Sequence, residues 1–195
     1  AAAAPEKGRN ALNAARLFLD ATDMMRQHVI EEARMHGFIK NGGEASNIVP
    51  EFAEVEFLTR APRREDLNDI TAWVKDCARA AALATRTEVE MFPVGEPFHE
   101  LYISKLGEKL MRESYDELGI PCANQSGMKG SSDIGNVDYR CPAFHPMMGI
   151  GIEENCHTQE FADAMTTQGA HDAIKNSASL LLCMTAKMYG NPQLD

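Results

Sequence analysis

Over four turns of chain, apolar side chains recur at Leu67, Ile70, Val74, Cys77 or Ala78, and Ala81. Steps of three and four residues place them on one face of a helix, behind the acidic pair Glu65-Asp66, which suits the positive end of a helix dipole. Such a face must be covered, and the neighbouring segments indicate by what. On one side lies a run bounded by Pro50 and Pro62 and rich in Phe52, Val55, Phe57 and Leu58, which favours a strand. On the other, residues 87–94 set Val89 and Met91 against Glu88 and Glu90, the alternation of a half-buried strand. Earlier, Leu12, Ala15, Leu19, Met24 and Met25 form the apolar face of a helix spanning about residues 8–32, with Arg16, Asp20, Asp23 and Arg26 outward. A short strand over residues 35–40 follows, closed by the turn residues Asn41-Gly42-Gly43. The order is helix, strand, strand, helix, strand. One more strand ahead of Pro5 completes βαββαβ, the ferredoxin-like sandwich of two helices on an antiparallel sheet. The fold class expected is therefore α+β, with a first domain over residues 1–95.

The remainder, residues 96–195, is different in kind. A helix is expected over residues 97–118, with Leu106, Leu110 and Leu118 inward and Gly119 just past its end. A loop rich in proline and glycine follows from Pro121, then a short apolar strand over residues 147–152. Residues 158–189 read as mostly helical until Gly190-Asn191-Pro192 stops them. Helices around one short strand are too little for a full α/β sheet, so this half reads as a segment that borrows its core. The opening Ala-Ala-Ala-Ala-Pro, without Met and directly before a helix, also points to a piece of a longer protein.

Composition narrows the partners. Against 29 acidic residues stand 19 Lys and Arg, a formal charge of −10, and no basic run offsets it, so nucleic acid and anionic membrane are excluded as expected partners. No apolar run approaches the ~20 residues that cross a bilayer, and no signal peptide is recognisable. The five cysteines, an odd number without CxxC spacing, argue against both a disulfide framework and a zinc knuckle, and fit a reducing cytoplasm.

Three polar segments stand out as candidate sites: Gly42 to Pro50 around Asn47, Gly130-Ser131-Ser132-Asp133 with the residues to Val137, and Asn155-Cys156-His157-Thr158. Each has an ordinary reading beside a functional one. Asn47 suits an Asx turn; Ser and Asp at 131–133 suit a helix cap as well as an anion-binding nest; one of six histidines is more often a satisfied residue than a ligand. Arg60 suits an edge charge, although an arginine can also clamp a carboxylate with two parallel bonds. His28, His36, His99, His145 and His171 show no HExxH or HxD spacing, and the 11 methionines read as core filler.

In order along the chain, GRNALNAA, HGFIKNGGEASNIVPEFAEVEFLTRAP, GSSDIGNV with HPMMGIG, and NCHTQEFADA together resemble the aminobenzoyl-glutamate hydrolase and dipeptidase branch of the dinuclear-zinc carboxypeptidase and aminoacylase family. The resemblance implies an α/β catalytic domain interrupted by a βαββαβ lid that also forms a homodimer, residues 1–95 being the lid and 96–195 the C-terminal part of the catalytic domain. It implies two divalent metal ions in the complete enzyme, zinc first and manganese or cobalt as alternatives. Further, it implies that His157 matches the last metal ligand, Arg60 the lid arginine on the substrate carboxylate, and Asn47 the lid asparagine near the scissile carbonyl. Gly130, Ser131 and Ser132 match the turn at the substrate's carboxylate end. The substrate expected is a small amide: an N-acyl amino acid, a dipeptide or aminobenzoyl-glutamate. The HxD motif and paired glutamates of that family have no counterpart here, and one imidazole cannot hold two metals, so this chain alone is expected to be inactive. Two other readings stand beside this one: a dimerisation or ligand-binding module without catalysis, and a ferredoxin-like regulatory domain over residues 1–95.

Overall fold

A computed structural model of the chain describes residues 4–102, 104–122, 130–153 and 156–190. Asn155 and the stop signal Asn191-Pro192 lie outside these residues. The chain divides into two compact units, Ala1–Glu100 and Leu101–Asp195.

In the first unit a 3-10 turn at Pro5–Lys7 leads into α1 (Ala11–Met25), whose N-terminus is capped by the Asn10 side chain accepting the Asn13 N–H at 3.1 Å. The buried face of α1 is Ala15, Phe18, Thr22 and Met25. Phe18 belongs to this stripe, whereas Met24, expected inward, is 69% exposed, because steps of three and four from Ala15 lead to Phe18 and Met25 and leave Met24 one position off the face. The helix ends at Met25 and passes into a second 3-10 turn, Arg26–His28, short of the limit expected from sequence.

Two antiparallel strands follow, β1 (Arg34–Asn41) and β2 (Glu54–Arg60), in a register that sets Met35 against Thr59, Gly37 against Phe57 and Ile39 against Val55. These pairs face the helices. Phe57 meets Phe18 edge-on, ring centroids 5.2 Å apart, and lies so close to Gly37 that any Cβ there would overlap its ring and the Glu56 carbonyl. The opposite face carries Arg34 against Arg60, His36 against Leu58 and Phe38 against Glu56. Then α2 (Arg64–Thr85) buries Ile70, Val74, Cys77 and Ala81 of the stripe read from sequence, with Ala82 beside them and Leu67 half-buried, and the first four close one core with Phe18, Met25, Ala33 and Met35. Each large apolar side chain buried there contributes about 1.5–3 kcal/mol.

The observed sheet has two strands among the described residues. Residues 87–94, expected to form a strand, join no ladder, and Val89, Met91, Phe92 and Val94 are exposed. Alternation suits the backbone to a strand, but a strand also needs a neighbour, and the sheet brings none alongside. The main helices and strands described in the unit are thus in the order helix–strand–strand–helix.

In the second unit α3 (Lys105–Glu117) begins later than expected, where the Ser104 hydroxyl accepts the Gly107 N–H at 2.9 Å. Its end follows expectation. Gly119 has φ +64°, Ile120 N–H bonds Tyr115 O at 3.0 Å and Gly119 N–H bonds Asp116 O at 3.1 Å, a Schellman ending that also seats Ile120 on the core. The inner face differs: it is Gly107, Met111, Ser114 and Tyr115, while Leu106 and Leu118 are exposed. Gly107 selects that face, since the Phe144 ring occupies the space a Cβ would need. The strand expected over residues 147–152 is absent; Met147 instead offers its carbonyl to the Tyr115 hydroxyl at 3.1 Å. After α4 (Ile134–Asp138), the helical stretch resolves into α5 (Gln159–Ala164) and α6 (Gln168–Tyr189), each capped by a threonine, Thr158 and Thr167. Tyr115 from α3 and Leu180 and Met184 from α6 form the core. No helix among the described residues is long and apolar enough to cross a membrane.

Candidate functional site

Asn47 and Arg60 both lie in the first unit, at opposite ends of the hairpin. Asn47 sits in the connection that leaves the C-terminal end of β1, exposed, in a tight turn closed by the Ile48 N–H on Ala45 O at 3.2 Å. The Asx turn expected of Asn47 is made instead by Asn41, whose side chain accepts the Gly43 N–H at 3.0 Å. With that role taken, the Asn47 amide bonds no described residue and is available to a ligand. The connection is anchored at its far side by the Ala11 N–H on Pro50 O at 2.9 Å, and with Asn10 and Leu12 it outlines an open depression.

Arg60 ends β2, exposed, and faces Arg34 across the ladder. Seven residues of strand separate Arg60 from the Asn47 end, about 20 Å at a rise of about 3.3 Å per residue. At that other end Lys40 donates to Glu54 at 2.8 Å, and the carboxylate holds the ammonium pKa above its ordinary value. Opposite charges thus meet at one end of the ribbon and like charges at the other.

Gly130, Ser131, Ser132 and His157 lie in the second unit. The Ser132 hydroxyl accepts the Ile134 N–H at 3.3 Å, so of the two readings of this turn the local one is realised at that side chain. Asp138, which no sequence motif marks, is the anchor of this segment: its carboxylate accepts the Ala143 N–H at 2.9 Å and the Tyr102 N–H at 2.6 Å. A carboxylate in the last turn of a helix opposes the helix dipole, which is the signal that could have singled it out. His157 is exposed and holds φ +71°, a left-handed conformation that costs a non-glycine residue of the order of 1 kcal/mol and that recurs at functional sites. Thr158 directly after it caps α5 by accepting the Phe161 N–H at 3.2 Å, fixing the turn that carries the imidazole. Among the described residues no three His, Cys, Asp or Glu side chains converge as a metal-binding group.

A two-helix layer on an antiparallel hairpin, followed in the chain by a helical unit with a strained histidine turn, defines an α+β class of two units similar in length. Residues 1–86 match the family model described as the peptidase dimerisation domain. The whole chain is similar to Xaa-Arg dipeptidase of Mus musculus, 35% identical over 198 residues, covering 100% of this chain and 46% of that protein. It is likewise similar to Xaa-Arg dipeptidase of Homo sapiens, 33% identical over 194 residues, 97% of this chain and 44% of that protein. A third relative, one of the subunits of p-aminobenzoyl-glutamate hydrolase of Escherichia coli (strain K12), is 44% identical over 91 residues, 46% of this chain and 19% of that protein. Through residues 1–86 the chain carries this peptidase dimerisation domain, and beyond it the chain is similar to these dipeptidases along its whole length. It spans about half the length of the dipeptidases it matches.

Proposed function

We propose that this chain supplies the dimerising lid, the grip on the substrate carboxylate and one metal ligand of an amidohydrolase that cleaves an N-acyl amino acid, a dipeptide or an aminobenzoyl-glutamate-like amide. The observation that supports it most is the similarity along 100% of the chain to a dipeptidase. In this reading residues 1–95 are a ferredoxin-like lid whose helix–strand–strand–helix core is completed by further strands, and residues 96–195 belong to the catalytic domain. Arg60 binds the carboxylate with its planar fork, Asn47 donates its amide N–H to the oxygen of the scissile carbonyl, and Gly130, Ser131 and Ser132 keep the substrate-binding role that the resemblance gives their turn.

The 20 Å ribbon adds a constraint to that assignment. An extended dipeptide spans about 7 Å, well short of the strand, so a site shared between two copies of the chain suits Asn47 and Arg60 better than one lid alone. In this reading each copy of a homodimer formed through the lid gives one of the two residues to a site.

When bound, two divalent metal ions, zinc or alternatively manganese or cobalt, would polarise the amide carbonyl and activate water. The described residues do not fit such a pair by themselves: His157 is one ligand, whereas a catalytic zinc takes three. No hydrolytic step is therefore assigned to this chain's own residues. In the whole enzyme Arg60→Ala should raise KM for carboxylate substrates about tenfold with little change in kcat, and an unchanged KM removes Arg60 from the site. His157→Ala should lower the affinity for one of two metals; a variant keeping both at full activity removes His157.

The dimerisation domain over residues 1–86 also favours a second reading, a dimerising or ligand-binding module without catalysis. Metal analysis of the 195-residue chain separates the two, because stoichiometric, tightly held zinc requires a self-contained site.

A further inference from the structure

We infer that Arg34 joins Arg60 in a two-arginine receptor for the substrate carboxylate. This rests on the reading of Arg60 above and extends it to a residue that neither motif nor spacing singled out. Arg34 opens β1 and Arg60 closes β2, and the register places them directly opposite each other on the sheet face turned away from the helices. Cβ atoms so placed stand about 5 Å apart, where like charges oppose pairing. A chain with 29 acidic residues has set none of them against this pair. The nearest acid on the same face of β2, Glu56, is four residues away, about 13 Å along the strand. Neither arginine makes an ion pair with any described residue.

The two guanidinium groups are not held alike. Arg34 donates Nη1 to the carbonyls of Glu31 and Ala33, both at 2.7 Å, which fixes its plane and leaves its Nε and Nη2 edge open. Arg60 is bonded to no described residue and can swing to meet a ligand. One fixed and one adjustable fork, carrying two unbalanced positive charges, suit a carboxylate whose two oxygens each take one guanidinium. Binding the anion also removes the repulsion between the arginines, so each should depend on the other.

The test uses the 195-residue chain, with N-benzoylglycine as probe and its uncharged amide, N-benzoylglycinamide, as control, titrated while the arginine Nε–H resonances are followed by NMR. The chain should bind the acid in preference to the amide, with both Nε–H signals moving. Arg34→Ala should weaken the acid about tenfold and leave the amide unchanged, and Arg34→Lys, which keeps the charge but loses the fork, should fall between. The double variant with Arg60→Ala should lose less than the product of the two single effects, since one ligand is shared. Both side chains are exposed, and unchanged Trp73 fluorescence checks that the variants fold. If Arg34→Ala binds as the unaltered chain does while Arg60→Ala is weakened, this inference fails and the reading of Arg60 stands. If Arg60→Ala has no effect, both fail. Equal binding of acid and amide overturns the pair as a carboxylate receptor.

Discussion

The two units are of nearly equal length, yet they bury their helices very differently. In the first, α1 and α2 lay narrow apolar stripes on one hairpin, and eight buried side chains from α1, β1, α2 and the turn before β1 close a single core, with Val55 and Phe57 of β2 packed against it. In the second, α3 and α6 rest mainly on each other, and the core comprises Tyr115, Leu180 and Met184 with a few half-buried neighbours. The sequences of the long helices already differ in this respect. Outside its stripe α2 exposes Trp73 and Leu83 among mostly polar residues, whereas α6 carries exposed large apolar side chains, Ile174, Leu181, Leu182 and Met188, around its circumference. A helix apolar on several sides is built for more than one neighbour. Among the described residues of its unit, α3 is the one helix that α6 packs broadly against.

The most forceful way to break this comparison is Leu180→Ala, which removes the largest fully buried side chain of the second unit and should cost about 2–5 kcal/mol. A core that small has little to replace it with, so the helical signal of that unit should melt first. Trp73, the single tryptophan, sits in α2 and reports only the first unit, and its unfolding midpoint should not move. Concerted loss of both signals would show that the units are not independent. The counterpart in the first unit is Gly37→Ala. Here Phe57 has no room to yield while it is wedged on Phe18, and a cost of about 1–3 kcal/mol should appear as a lower midpoint by Trp73 fluorescence. No shift would mean that the hairpin can slide over the helices.

The smallest effect is a difference in alkaline stability. Burial, assisted by Asp76, pushes the Cys77 thiol above its ordinary value, and burial with the nearby Cys122 pushes up the Tyr115 hydroxyl. Each folded unit thus holds a proton that the unfolded chain releases, so the contribution is complete below the unfolded pKa and lost as pH rises through the folded one. The first unit should begin to lose stability near pH 9 and the second near pH 10, about where free thiols and phenols ionise. Cys77→Ala should remove the first decline and Tyr115→Phe the second, in thermal melts across that range. A Tyr115→Phe variant with an unchanged alkaline slope would remove the tyrosine from this account.

What could be read in advance follows the range of the forces involved. Helical stripes, the turn at Asn41, the strand characters of β1 and β2 and the Gly119 stop depend on residues within a few positions of one another, and these were legible. The buried face of α3 was not, because Phe144, 37 positions from Gly107, decides it. Arg60 was visible as a residue type, whereas Arg34 acquires its meaning only from lying opposite Arg60 in the register.

Sequence by itself thus determined which segments curl and which extend, and family motifs marked Asn47, Arg60, Gly130, Ser131, Ser132 and His157 as candidates. Tertiary structure alone decided which extended segments become strands, leaving residues 87–94 and 147–152 outside any ladder. It also put Asn47 and Arg60 at opposite ends of the hairpin and set two arginines side by side. The physical reason is that periodicity is a property of one backbone segment, whereas a ladder, a register and a charge pair each require a second segment to arrive.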